Sequence, residues 1–361
     1  MTPIRRRLSL YLLLVLFCIL AAFKPSADVS AGVPTLKIHF LSVGQADCIL
    51  VQTPAGYNML IDAGNNDDAG FITSYLDGLN IKRLDILIGT HPHEDHIGSL
   101  DTVIRRYQIG QVYMPKVTTT TKTFEDVLLA VKEKALRINT AKAGVNITID
   151  PGVKMEFLAP SSGTYNDLNN YSAVLKLVYG NTSFLFAGDA EAISETEMLA
   201  AGYNLSSDVL KVGHHGSDSS SSEAFIRKVS PKYAVISVGT GNSYGHPSPI
   251  ILNRLKNYGA EILRTDLDGT VVIASDGKTI KVNKKVSPIK PNAPPSSTVQ
   301  SSDQEKIKQE EPVEVIVYIT QTGSKYHRAG CRYLAKSYIP ISLKNAKAKG
   351  YMPCSVCRPP Q

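Results

Sequence analysis

Cysteine is scarce in this 361-residue chain: there are five, and three of them stand together near one end, at Cys331, Cys354 and Cys357. That excludes a disulfide framework through the body of the protein, because disulfide scaffolds are cysteine-dense. Long apolar runs are nearly absent as well. The one run of note, residues 8–23, is 16 residues long, short of the ~20 that a helix needs to span a bilayer. A polytopic membrane channel is excluded. A net positive charge is missing from the middle of the chain. The net charge is +7, yet residues 32–282 carry 22 basic and 26 acidic side chains, whereas residues 313–361 carry eight and one. An anionic polymer would therefore be drawn to the C-terminal end and not to the large middle segment. The length, with an ordinary apolar share of 43%, allows two or three domains and a sizeable core.

Histidine is also sparse, with eight in all, but three fall within six residues: His91-Pro92-His93-Glu94-Asp95-His96. The stretch follows the apolar run Leu84-Asp85-Ile86-Leu87-Ile88, which reads as a buried strand. His91 and His93 are two apart and project to one side of an extended backbone. Asp95 and His96 follow where the chain turns into a helix, so they face a second point a few residues on. Two adjacent metal sites follow from that spacing, because the density of ligand-type side chains exceeds what a polar loop needs. Further ligand types close other apolar strands: Asp62 after Leu60-Ile61, Asp189 after Phe186-Ala187-Gly188, and His214-His215 after Lys211-Val212-Gly213. A strand-end aspartate alone is commonly a turn former; together with the histidine cluster these residues form a candidate set.

The rest of the chain falls into recognisable stretches. Residues 1–31 combine Arg5-Arg6-Arg7, the apolar run and the small residues Val29-Ser30-Ala31, the layout of a signal peptide or N-terminal anchor. Phe17 before Cys18 disfavours lipoprotein processing. Residues 32–282 show short apolar strands interspersed with helical periodicity, expected at 70–79, 96–107, 124–138, 191–201, 222–229 and 250–258, and suggest an α/β fold of packed sheets flanked by helices. Residues 283–312 are rich in proline and serine, then polar and charged, and read as a disordered linker. Residues 313–361 form a second small unit. In it His327-x3-Cys331 and Cys354-x2-Cys357 offer four ligands for one structural zinc, with a disulfide as the alternative.

The order Asp62, His91-x-His93-x-Asp95-His96, Asp189 and His214-His215 resembles the metallo-β-lactamase superfamily of binuclear hydrolases. Phe40-Leu41-Ser42-Val43-Gly44-Gln45-Ala46-Asp47, residues 211–217, Tyr244-Gly245-His246-Pro247 and Thr265-Asp266-Leu267-Asp268-Gly269-Thr270 narrow it to the branch that includes the hydrolase domain of the DNA-uptake protein ComEC. The resemblance covers about residues 35–282 and implies a four-layer αββα sandwich with the metals at one edge. It implies hydrolysis by a metal-bridging hydroxide: His91 and His93 on one ion, Asp95, His96 and one of His214 or His215 on the other, and Asp189 bridging. Asp95 would also orient the nucleophile, and Asp62 would support a ligand histidine from behind. The segment before Asp189 has no third histidine for the first ion, which leaves water or Asn170 to complete it. Zinc suits the imidazoles, with manganese the alternative. His246 is a candidate to contact the scissile group, or else caps the helix beginning near Ser248. Asp266 shapes a turn or supports the site from behind. The run Ser219-Ser220-Ser221-Ser222 is expected to be a rim with a helix cap at Ser222, and Cys48 a buried hydrophobe.

Residues 314–359 are similar to the small zinc module related to the metal-binding domain of the Ada repair protein, with His327 where a fourth cysteine would stand. The whole chain is expected to be a stand-alone exported hydrolase, secreted or anchored facing outwards, most readily a phosphodiesterase acting on extracellular DNA. Two other readings stay open: a phosphoesterase on cell-wall choline-phosphate or another small phosphoester, and a DNA- or wall-binding protein with a vestigial hydrolase domain. The basic tail, with Tyr318, Tyr326, Tyr333, Tyr338 and Tyr351 interleaved, could grip DNA or attach to the cell surface. Nothing points to a protein partner.

Overall fold

Cys48, Ile49, Leu50 and Val51 run without a polar break because successive strand residues face opposite sides, and here both sides are covered. Ile49 and Val51 enter a core between two sheets, while Cys48 and Leu50 enter a second core beneath helices. The computed structural model describes residues 34–283 and residues 316–361, the latter without 321, 329–330, 335–338, 358 and 360–361. The expected targeting segment at 1–31, the linker beyond Asn283 and Tyr338 lie outside the described residues. The chain divides into two units, Met1–Asn292 and Ala293–Gln361.

The first unit holds strands β1 (Leu36–Phe40), β2 (Ile49–Gln52), β3 (Asn58–Ile61), β4 (Arg83–Ile88), β5 (Gln108–Met114), β6 (Ile138–Thr140), β7 (Asn146–Ile147), β8 (Val153–Phe157), β9 (Leu175–Tyr179), β10 (Thr182–Phe186), β11 (Val209–Lys211), β12 (Tyr233–Ile236), β13 (Glu261–Arg264), β14 (Val271–Ser275) and β15 (Ile280–Asn283). One eight-stranded sheet runs β15-β14-β1-β2-β3-β4-β5-β6 and one seven-stranded sheet runs β13-β12-β11-β10-β9-β8-β7. Each is antiparallel on one side and parallel on the other: β3 through β6 in the first sheet, and β10 through β13 in the second, are parallel. Phe40, Ile61 and Ile88 meet Phe157, Phe184 and Phe186 between the sheets.

Helices cover both outer faces. Those named α1 (Ala69–Gly78), α2 (Glu94–Ile97), α3 (Leu100–Arg106) and α4 (Lys122–Glu133) flank the first sheet, where Ile72, Leu76, Val103, Ile104 and Val127 join Leu50, Leu60 and Leu87. Helices α5 (Ala192–Ala200), α6 (Glu223–Val229) and α7 (Pro249–Asn257) flank the second, where Met198, Phe225, Ile226, Ile251 and Leu255 join Leu185, Leu210 and Ala234. The architecture is the expected αββα sandwich. Strand ends converge at one edge, so polar residues that follow β3, β4, β10 and β11 come together there.

Three local expectations are corrected. The helix expected over 96–107 is two short helices, because Gly98 and Ser99 dock on the loop after β3: Gly98 N donates to Gly64 O at 2.8 Å and Ser99 Oγ to Asn65 O at 2.6 Å. The helix expected to reach 138 ends at Glu133, because Ala135 takes a left-handed conformation at φ 52° and Ile138 opens β6. Residues Thr265–Asp268, expected as a turn, form a short helix α8. In the second unit, β16 (Ile316–Ile319), β17 (Lys325–His327), β18 (Ile339–Ser342) and β19 (Met352–Pro353) form one sheet in the order β18-β16-β17-β19. Helix α9 (Leu343–Ala348) places Ala346 against Val317, Ile319 and Tyr326.

A side chain at Gly98 has no room: its Cβ would lie 2.2 Å from the carbonyl carbon of Asn65. Gly98→Ala is expected to destabilise the first unit by about 1–3 kcal/mol or more, measured by urea unfolding; a change of only a few tenths of a kcal/mol would contradict the docking described.

Candidate metal centre

The loop after β3 turns at Asp62, whose φ is 59°, and the loop after β11 turns at His214 and His215, with φ of 47° and 51°. Left-handed backbone costs a non-glycine residue about 1–2 kcal/mol, although aspartate and histidine tolerate it better than most. Gly188, at φ 53°, makes the corresponding turn before Asp189. These turns carry Asp62, Asp189 and His215 from the ends of their strands into one buried corner, with His214 at its partly exposed side.

Hydrogen bonds then set the tautomers. Asp62 accepts from Thr90 N and Thr90 Oγ1, both at 2.7 Å, and from His96 Nδ1 at 2.8 Å. This leaves His96 Nε2 facing Asp189 Oδ1 at 3.2 Å. His215 Nδ1 donates to Ser237 O at 2.9 Å, so its Nε2 faces Asp95 Oδ2 at 3.2 Å and Asp189 Oδ2 at 3.5 Å. His91 Nε2 and His93 Nδ1 stand 3.0 Å apart, with Thr90 Oγ1 and Ser172 Oγ behind the His91 ring at 3.2 and 3.4 Å. Asp189 N donates to the same Ser172 hydroxyl at 3.0 Å. Thr90 and Ser172 were not singled out from sequence; a threonine directly before the cluster was the available signal.

The donor set fits divalent ions. Ligand atoms of Asp95, His96, Asp189 and His215 lie within 4.8 Å of one another. Donors about 2.1 Å from a tetrahedral ion stand about 3.4 Å apart, close to the spacings above. His96 Nε2 and Asp189 Oδ1 are buried with no hydrogen-bond partner, as expected of atoms that serve an ion. The electrostatics agree. Burial alone would lower the His96 and His215 pKa values, but the nearby carboxylates, Asp189 foremost, raise both, His96 well above its ordinary value. Burial would raise Asp189, but His96 and His215 hold it well below the usual carboxylate range. The corner demands positive charge. His91, by contrast, is kept neutral by burial and by His96, the form in which an imidazole binds metal.

The other expected residues are placed as follows. His214 is partly exposed, with Nδ1 3.0 Å from Ser219 Oγ and 3.5 Å from Glu191 Oε1 and with Nε2 3.8 Å from Asp189 Oδ2. His215, not His214, joins the convergent set. Glu191 was missed from sequence because it reads as a helix start. Asn170 spends its side-chain amide elsewhere: its Nδ2 donates to Glu191 Oε2 at 3.0 Å and its Oδ1 accepts from Ser194 N, so it steadies Glu191. Of the two roles expected for Asp266, the local one fits its contacts, because it pairs with Arg264 at 2.5 Å. His246 lines a cleft of about 320 Å³ with His93, Asp95, Asp189, His214 and Tyr244. Burial, then His214 and His215, lower its pKa to about 4. It does not cap α7: that helix has Ser248 at its N-cap, and His246 N donates instead to Asn242 Oδ1 at 3.1 Å. Ser222 Oγ accepts from Phe225 N at the start of α6, and Cys48 is buried.

In the second unit, ligand atoms of His327, Cys331, Cys354 and Cys357 also lie within 4.8 Å of one another. His327 Nδ1 is 3.3 Å from Cys331 Sγ and 3.9 Å from Cys357 Sγ. The three cysteines are unbonded to one another, and the arrangement is a closed Cys3His set suited to a structural zinc.

The chain is similar to several known proteins. The family model described as Metallo-beta-lactamase superfamily matches residues 41–240. ComE operon protein 3 of Bacillus subtilis (strain 168) is 32% identical over 252 residues, covering 65% of this chain and 32% of its own length. Competence protein ComA of Neisseria gonorrhoeae is 34% identical over 231 residues, covering 63% and 30%. This chain thus spans about a third of the length of the curated relatives it matches. Among solved structures, Igni18, a metallo hydrolase from the archaeon Ignicoccus hospitalis, aligns with a TM-score of 0.46 at 18% identity, covering 66% of this chain and 98% of that one.

His215→Ala is expected to remove one metal equivalent from the centre, whereas His214→Ala keeps both, as read by metal content after gel filtration. Equal losses would contradict the placement of His214. Because His96 and His215 must shed protons to take an ion, uptake should release protons and weaken as pH falls. Calorimetry in buffers of different ionisation enthalpy checks this; pH-independent uptake would contradict it.

Proposed function

The chain belongs to the Metallo-beta-lactamase superfamily, as its motifs led us to expect, and from that premise we propose that it is an exported two-metal phosphodiesterase acting on extracellular DNA. The observation that carries the hydrolytic reading is the convergence of Asp95, His96, Asp189 and His215, of which Asp95, Asp189 and His215 line an open cleft. Two divalent ions bound there would supply activation of water and polarisation of a phosphoryl oxygen.

The chain's own residues divide the remaining work. Asp95, with a side chain 32% exposed beside a fully buried His96, is a carboxylate within reach of the cleft and orients the attacking water. His246, held neutral at pH 7, offers a hydrogen bond to the scissile group instead of a standing proton. Tyr244, 72% exposed, stacks on His246 with ring centroids 5.7 Å apart. That gives the rim a face on which a base can stack, worth about 1–3 kcal/mol per base in single-strand binding.

Three features support DNA as the substrate: the rim tyrosine, the competence proteins among the relatives, and the eight basic side chains against one acidic in residues 313–361. Zinc suits the imidazole-rich centre, with manganese as the alternative. The leader-like residues 1–31 support action outside the cytoplasm, whether secreted or anchored. The C-terminal unit would add affinity for DNA or for an anionic cell surface through its charge.

The test is cleavage of single- and double-stranded DNA by purified residues 32–361 with zinc or manganese, beside a His93→Ala, Asp95→Ala control. Metal-dependent cleavage absent from the control is the expected result. No cleavage under any metal, with turnover of a small phosphoester instead, would replace DNA by a substrate such as choline-phosphate; no turnover of either would leave a binding protein. Removing residues 313–361 is expected to lower DNA affinity and flatten its salt dependence while leaving small-substrate turnover unchanged.

A further inference from the structure

Lys211 is wholly buried at the end of β11, and a lysine is almost never so unless paired. Its Nζ lies 2.6 Å from Asp47 Oδ2, on a residue 1% exposed, and donates to Val212 O at 3.0 Å. Burying two charges costs several kcal/mol per ion, and well-packed apolar side chains of similar volume often stabilise a fold as well or better. Stability alone does not account for the pair.

Its position does. Asp47 lies between β1 and β2 in the first sheet and Lys211 ends a strand of the second, so the pair ties the two sheets at the edge where the ligands gather. The backbone of Asp47 is bound to both neighbouring ligand loops: its N donates to Asp95 O at 3.0 Å, and its O accepts from Gly64 N at 2.8 Å, two residues after Asp62. Its second carboxylate oxygen, Oδ1, has no hydrogen-bond partner and sits 3.5 Å from His215 Nδ1. Asp95 and His215 come from opposite sheets, and each is one contact away from Asp47. Neither Asp47 nor Lys211 is among the residues lining the cleft.

We propose that the buried Asp47–Lys211 ion pair is a latch that fixes Asp95 relative to His215 and so sets the affinity of the Asp95, His96, Asp189 and His215 ligand set for its ion. The pair is a positioning device, set back from the cleft. The inference rests on the two-metal reading above. It makes the affinities of the two ions separable: the latch governs one and leaves the other alone.

The test is stepwise titration of the full chain with cobalt, in which thiolate charge-transfer absorption reports the Cys3His set apart from the His/Asp centre. Asp47→Asn, Lys211→Met and the double variant are compared with the wild type for ion affinity and thermal midpoint. Each variant is expected to bind one of the two ions of the centre about 10- to 100-fold more weakly, with the other unchanged. The single variants are expected to lose thermal stability, and the double to regain most of it without regaining affinity. A double variant that recovers affinity together with stability would overturn the proposal, as would affinity for both ions falling in step with the thermal midpoint. A wild-type centre that takes only one ion would overturn the two-metal reading itself, and the latch with it.

Discussion

Buried negative charge at one edge of the sandwich is the constraint that the rest of the first unit answers. Asp47, Asp62 and Asp189 are each 1% exposed, and Asp95 is partly buried beside them. Uncompensated carboxylates at that depth would be expelled or neutralised. The structure meets the charge in three ways: an ammonium on Asp47, hydrogen bonds from Thr90 and His96 on Asp62, and raised imidazole pKa values around Asp189 and Asp95. The first two are permanent. The third is a place where divalent ions can replace protons, which is why the same residues that look electrostatically frustrated form a ligand set.

The two-sheet architecture makes this concentration of charge possible. No single strand or helix could present so many groups to one point, but strand ends from both sheets meet at a shared edge while the apolar stripes between them fill the core. Left-handed turns at Asp62, His214 and His215 then aim the side chains. The cost of those turns is offset by tertiary contacts, as is usual where backbone strain collects at functional sites.

Much of this was legible in the sequence, for physical reasons. Strands covered on both faces show as unbroken apolar runs, and a hexapeptide with three imidazoles and two carboxylates has little other use. What was not legible depends on contacts far along the chain. His214 and His215 are adjacent and chemically identical; the choice between them rests on Ser237 O, 22 residues away, which holds only the second ring. Lys211 reads as one more residue of an apolar strand, since its partner Asp47 lies in the other sheet. Position in the sequence leaves open whether Asn170 completes an ion's shell and whether Asp266 shapes a turn or supports the site; the contacts show that one braces Glu191 and the other answers Arg264 two residues before it. The break at Gly98 follows from the loop after β3 and not from any local helix signal.

Two ions in one corner of the first unit are what the proposed hydrolysis depends on. Anomalous diffraction at the zinc edge from crystals grown with zinc tests for them most directly. Two peaks about 3.5–4 Å apart are expected there, one against His91 and His93 and one among Asp95, His96, Asp189 and His215, with a third in the Cys3His set. A single peak in the corner, or signal at the cysteines alone, would contradict the account.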